Sequence, residues 1–141
     1  MDFTLAGSRV MVVDDDLSIH SLMGALLAHW GCEQVELLSD GSEAVERYGF
    51  THPDLVIMDV EMPVMNGHAA AKAIRDMDQE AVILLLTGVP EGRLAKMALE
   101  EGLVKAVLPK PFGFEQLKMA IREALRGKEL KPMRGKRGAV A

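Results

Sequence analysis

Arg9-Val-Met-Val-Val13-Asp14-Asp15-Asp16 is the stretch from which the fold can be read. Val10 to Val13 are apolar without interruption, so the segment has no polar face to show to water. A strand of that kind is buried on both sides, which is the mark of a parallel sheet covered by helices. It ends at three aspartates. The pattern returns at Leu55-Val-Ile-Met58, followed by Asp59, and at Ala81-Val-Ile-Leu-Leu-Leu86, which ends at Thr87-Gly88. Further strands are expected at Glu33 to Leu38 and, a short one, at Ala106-Val-Leu-Pro109, the latter followed by Lys110.

Between the strands the apolar spacing changes to that of helices. Ile19, Leu22, Met23, Leu26, Leu27 and Trp30 fall on one helical face, and Gly31 supplies a stop. Ser42 to Tyr48 predicts a second helix, and His68 to about Asp76 a third, after a loop carrying Pro63, Asn66 and Gly67. Pro90 is placed to open a fourth helix that runs to about Glu101, before Gly102. A fifth helix should carry Phe114, Leu117, Ile121 and Leu125 on one face. Five βα units joined by short loops predict an α/β fold, a doubly wound five-stranded parallel sheet with helices on both faces.

In such a sheet the carboxyl ends of the strands share one edge, and ligands bind there. Asp14, Asp15, Asp59, Thr87 and Lys110 all sit at those ends. Three carboxylates held close together repel one another unless a cation lies among them. Oxygen-only ligands in a shallow, hydrated cluster suit magnesium better than zinc. Thr87 and Lys110 add what a metal site alone does not need: a hydroxyl and an ammonium that can meet the oxygens of a transferring phosphoryl group. The set reads as a magnesium-assisted phosphoryl acceptor.

Length and composition narrow the function classes. At 141 residues with 49% hydrophobic side chains, the chain has material for one core. Its formal charge of −5 is uneven: residues 127 to 141 hold five basic residues against Glu129 alone, a net +4 that leaves the body at −9. An acidic body is a poor partner for nucleic acid. One cysteine, Cys32, excludes an internal disulfide framework and fits a reducing compartment. No apolar run approaches the roughly 18 residues of a membrane span, and the first residues lack the pattern of a signal peptide, so a cytoplasmic protein with no membrane partner is expected. His20, His29, His52 and His68 lack metal-ligand spacing and read as surface or helix-end residues, while Met58, Met62, Met65 and Trp30 read as packing.

Val-Val-Asp14-Asp15, Asp59 with Met62-Pro63-Val-Met-Asn66-Gly67, Thr87-Gly88 and Lys110-Pro111-Phe112 together resemble the receiver domain of bacterial two-component response regulators. The resemblance spans roughly residues 8 to 126. It implies the flavodoxin-like strand order 2-1-3-4-5. It also implies a receiver domain over residues 1–126 followed by a basic tail, 127–141. Asp59 would accept the phosphoryl group; Asp15, Asp59 and the backbone carbonyl of Glu61 would hold Mg2+, with Asp14 assisting through water. Thr87 and Lys110 would hold the phosphoryl oxygens, and the Lys110–Pro111 peptide is expected to be cis. The implied protein is a signalling phosphoacceptor and not a turnover enzyme. Its expected partners are a sensor histidine kinase or phosphotransfer protein and a downstream protein target, with monomer and phosphorylation-dependent dimer both open.

Three further points bear on function. Many receivers carry an aromatic residue three positions before the lysine, where this chain has Val107, and the segment from Thr87 to Lys110 is one residue longer than usual near Gly102-Leu-Val-Lys105. The route from phosphate to output surface is therefore the open question. An enzymatic alternative arises from Val-Val-Asp14-Asp-Asp16-Leu-Ser18, which resembles a fragment of the haloacid-dehalogenase phosphatase motif with Asp14 as nucleophile. The residues after Lys110, Pro-Phe-Gly-Phe, do not supply the further acids that such enzymes use.

Overall fold

The computed structural model describes residues 3–128. Its elements alternate β1 (Arg9–Val13), α1 (Leu17–His29), β2 (Gln34–Leu38), α2 (Gly41–Thr51), β3 (Leu55–Asp59), α3 (Gly67–Met77), β4 (Ile83–Thr87), α4 (Arg93–Glu100), β5 (Ala106–Pro109) and α5 (Phe114–Ala124). All strand pairs are parallel, and the sheet order is β2-β1-β3-β4-β5. This is the flavodoxin-like order that the resemblance implied. Of the expected basic tail, Gly127 and Lys128 are described, and the remainder lies outside the described residues.

Alternation along the strands divides the core into two layers. Met11, Val13, Val56, Met58, Ile83 and Leu85 face α2, α3 and α4, where Ala44, Tyr48, Ala70, Ile74, Ala95 and Ala98 cover them. Val10, Val12, Leu55, Ile57, Leu84 and Leu86 face α1 and α5, under Met23, Leu27, Leu117 and Ile121. Trp30 belongs to this second layer, with its ring edge-on to Phe3. Because β1, β3 and β4 are covered on both sides, their uninterrupted apolar runs are what the architecture requires.

Side chains at the loop ends start three of the helices. Asp16 accepts from Ser18 N, Asp40 from Glu43 N, and Asn66 from Ala69 N, each satisfying a backbone donor in a first turn. Two glycines allow close approach near the site: a Cβ at Gly67 would collide with the Asp59 carbonyl, and one at Gly41 with the Met65 carbonyl. Gly67 thereby lets α3 start directly against the end of β3.

The structure corrects three expectations. α4 begins at Arg93, not at Pro90, because Gly92 N donates to Val89 O and closes a turn that takes up Pro90, Glu91 and Gly92. Phe114 does not share the buried face of Leu117 and Ile121: it is 49% exposed and lies against the Trp30 ring at 5.5 Å between centroids. Ala124 takes the buried position at the far end of that face. The second helix also runs past Tyr48 to Thr51 and ends on His52, whose φ of 44° lies in the left-handed region.

Candidate functional site

β1, β3, β4 and β5 deliver their last residues to one edge of the sheet, and the predicted set meets there. Lys110 Nζ lies 2.9 Å from Asp14 Oδ2 and 3.3 Å from Asp59 Oδ1, bridging residues that are far apart in sequence. One carboxylate oxygen from each of Asp14, Asp15 and Asp59 lies within 4.8 Å of the others. This is the acidic cluster able to converge on a cation among the described residues. The Lys110–Pro111 peptide is cis.

Burial differentiates the three acids. Asp14 is fully buried, and both of its oxygens are engaged, Oδ2 by Lys110 and Oδ1 by the backbone N–H of Asp16. Asp59 is 5% exposed, whereas Asp15 is exposed and open to solvent. Burial, followed by the charge of Asp14, pushes the Asp59 carboxyl up to about 6, although Lys110 pulls the other way. At Lys110, desolvation works against the charged form, but the hydrogen bond it donates to Asp14 and the charges of both acids overcome it and raise its pKa. An ammonium that stays charged therefore sits between two carboxylates that cannot both be comfortable without it. A hard divalent cation has the charge that this oxygen donor set lacks.

Thr87 ends β4 with its side chain buried. Its hydroxyl oxygen accepts from Val89 N at 2.9 Å, and the hydroxyl donates to the Glu61 carboxylate at 3.3 and 3.4 Å. The Glu61 side chain was not among the residues that sequence reasoning assigned to the site; only its backbone carbonyl was. No periodicity or motif signals that contact, since it forms between the end of β4 and the loop after β3. The loop after Asp59 carries another feature without a sequence signal, Val64 at a φ of 67° and 84% exposed, a conformation that β-branched residues rarely adopt.

The remaining conspicuous residues have contacts of their own. His20 Nε2 meets Leu38 O at 2.8 Å and His68 Nε2 meets Glu101 at 2.8 Å. Met58 is core, and Met62 and Met65 pack against it. Cys32 is partly buried near Ser8, and burial pushes its thiol pKa up.

The family model described as the response regulator receiver domain matches residues 10–122. The chain belongs to that family. It is 32% identical over 117 residues to the chemotaxis protein CheY of Bacillus subtilis (strain 168), covering 83% of this chain and 97% of that protein. Among solved structures, the chemotaxis response regulator CheY4 of Vibrio cholerae matches with a TM-score of 0.72 and 33% identity, over 84% of this chain and 98% of that one. The response regulator TrrA of Thermotoga maritima, solved in complex with Mg(2+)-BeF, matches with a TM-score of 0.69 and 31% identity, over 84% and 99% of the two chains. The receiver is a phosphoacceptor signalling domain, homologous to CheY and to other response regulators. The haloacid-dehalogenase alternative at Asp14 is not supported, and Asp14, buried with both oxygens engaged, is poorly placed as a nucleophile. No helix among the described residues is long and apolar enough to cross a membrane.

Proposed function

We propose that Asp59 is the phosphoacceptor of this receiver, that Asp15, Asp59 and the Glu61 backbone carbonyl hold Mg2+ with Asp14 assisting through water, and that Thr87 and Lys110 hold the phosphoryl oxygens. The observation that carries the reading is Lys110 bridging Asp14 and Asp59 at 2.9 and 3.3 Å beside the exposed Asp15. A carboxylate oxygen of Asp59 attacks phosphorus of a phosphohistidine on the partner, the P–N bond breaks, and the electron pair returns to the imidazole, which takes up a proton. Lys110 offsets charge on the phosphoryl oxygens while the Thr87 hydroxyl donates to one of them. Bound Mg2+ supplies charge neutralisation and holds the reacting oxygens in place.

Asp14 fits an indirect role, because its two oxygens are already engaged; Asp15 fits direct coordination, because it is exposed. The phosphoryl donor is a sensor histidine kinase or phosphotransfer protein. Output passes to a downstream protein or by onward phosphotransfer, from a cytoplasmic chain that is a monomer or a phosphorylation-dependent dimer. The protein phosphorylates itself from small donors and loses the group slowly, without turnover on a substrate of its own.

Incubation with acetyl phosphate and Mg2+, followed by intact-protein mass spectrometry, tests the assignment. One phosphoryl group is expected on the wild type and none on Asp59→Asn, with slower labelling of Asp14→Asn and Asp15→Asn. A full mass shift that persists in Asp59→Asn would overturn the choice of acceptor.

A further inference from the structure

Glu61 lies two residues past Asp59 with an exposed side chain, yet its carboxylate is what the buried Thr87 hydroxyl meets, at 3.3 and 3.4 Å. A threonine hydroxyl has one proton to donate. It therefore cannot serve Glu61 and a phosphoryl oxygen at the same time. The hydroxyl oxygen is also held from the other side by Val89 N at 2.9 Å, so the rotamer that points at Glu61 is supported by two contacts. The negative charge of Glu61 is felt at Asp59 as well, behind burial and the larger effect of Asp14.

We propose that the Glu61 side chain is a positioning residue that holds the Thr87 hydroxyl before phosphoryl transfer and must release it to the phosphoryl group. Acceptance at Asp59 then includes an exchange of anions at Thr87, carboxylate out and phosphoryl in. This inference rests on the phosphoacceptor reading given above. Two costs follow for an incoming phosphodonor: the Glu61–Thr87 hydrogen bond must break, and a carboxylate at the mouth of the site repels a donor dianion. Being exposed, the Glu61 side chain can swing into water once displaced.

The test follows the rate of labelling by acetyl phosphate in Mg2+, where the Asp59 oxygen–phosphorus bond forms, the phosphorus–oxygen bond to acetate breaks, and acetate leaves with the electron pair. Glu61→Gln keeps an acceptor oxygen but loses the charge, and should label about three- to tenfold faster, the size of one water-screened charge contact and a weakened hydrogen bond. Beryllofluoride should bind it more tightly by a similar factor. In a Thr87→Ala background the hydrogen-bond share of that gain should vanish, because the hydroxyl being released is gone, and only the smaller share due to charge should remain. The Thr87 methyl resonance should differ between wild type and Glu61→Gln in the free proteins and coincide once Mg2+ and beryllofluoride are bound.

An unchanged labelling rate in Glu61→Gln, or an equal gain with and without the Thr87 hydroxyl, would overturn the inference and leave the phosphoacceptor assignment standing. A wild-type chain that takes neither phosphoryl group nor beryllofluoride would remove that assignment, and this inference with it.

Discussion

The two edges of the sheet use charge in opposite ways. At the edge where the strands end, Asp14, Asp15, Asp59 and Lys110 crowd together with more negative than positive charge and with Asp59 held well above its ordinary carboxyl pKa. At the edge where they begin, polar groups are spent on hydrogen bonds within the fold, most of them to backbone. Arg75 donates to the carbonyls of Gln79, Ala81 and Leu103 at 2.6, 2.8 and 2.9 Å, tying the end of α3 to the approaches of β4 and β5. Asp54 accepts from Arg9 N at 2.8 Å, and Tyr48 donates to Asp78 at 2.7 Å. One edge stores an unfavourable arrangement that a ligand can relieve; the other clamps the fold. Function and stability are thereby assigned to different ends of the same strands.

If that division holds, the largest stability loss should come from the clamping edge. Arg75→Met removes donors from three carbonyls and should cost about 2–4 kcal/mol in urea unfolding, the range for a lost charged hydrogen-bonding group that leaves acceptors unpaired. Phosphorylation of the folded fraction by acetyl phosphate should be unchanged. A fall in labelling as large as that of an acidic-site variant would break the comparison.

Magnesium should act on the other edge with opposite sign. A ligand at about 100 times its dissociation constant stabilises the native state by about 2.7 kcal/mol, so millimolar Mg2+ at a weaker site should raise the melting temperature by a smaller, measurable amount. Sodium at matched ionic strength should not reproduce the rise, and equal shifts would indicate general screening in place of a site. The rise should persist in Arg75→Met and shrink in Asp15→Asn.

A smaller effect sharpens the electrostatic part. The folded-state pKa of Asp59, about 6, lies above the ordinary value of 3.8, so the native state holds this proton more tightly than the unfolded chain does. Ionising Asp59 therefore destabilises the metal-free protein. The penalty builds as pH rises from about the ordinary carboxyl value and is complete above about pH 6. In chelator, Asp59→Asn should melt higher than wild type at pH 7.5, by less than saturating magnesium adds, and the difference should close as pH falls towards 4. A difference that stays constant with pH would mean that the gain is packing and not charge.

These contrasts also explain what could be read without coordinates. The strand ends were legible because a strand buried on both faces cannot hide its pattern, and because Asp14, Asp59 and Thr87 stand directly at the ends of such runs, with Lys110 directly after the shorter edge strand β5. The start of α4 was not, since whether Pro90 opens a helix or belongs to a turn depends on the Gly92–Val89 hydrogen bond. Phe114 has the spacing of a core residue, but the Trp30 ring beside it gives it a surface to lie on without burial. Arg75 reads as an exposed helical charge until the carbonyls of two other loops come within reach. The Glu61 contact with Thr87 joins residues 26 positions apart, one at the end of β4 and the other in a loop that carries no periodicity. Local pattern finds what the backbone must do, and tertiary approach decides which side chains meet.

The smallest expected effect concerns how the charged edge reports its state. Val107 pairs in register with Leu85 and packs, partly buried, against the α2–α3–α4 layer. A valine has one side-chain torsion and much less area than an aromatic ring, so a shift there biases a two-state surface weakly. Thr87 has a more direct route, because its oxygen already accepts from Val89 N, and Val89 O in turn accepts from Gly92 N at the start of α4. When the hydroxyl turns from Glu61 to a phosphoryl group, that short chain of hydrogen bonds must move with it. Amide hydrogen exchange with and without beryllofluoride should therefore change from residue 87 to 96 and hardly at all from 104 to 109. Thr87→Ala should abolish the change while leaving magnesium binding nearly intact, since its hydroxyl is assigned to the phosphoryl group and not to the ion. Protection changes confined to 104–109 would place the lever at Val107 after all, and the hydrogen bonds around Val89 would then be part of the scaffold.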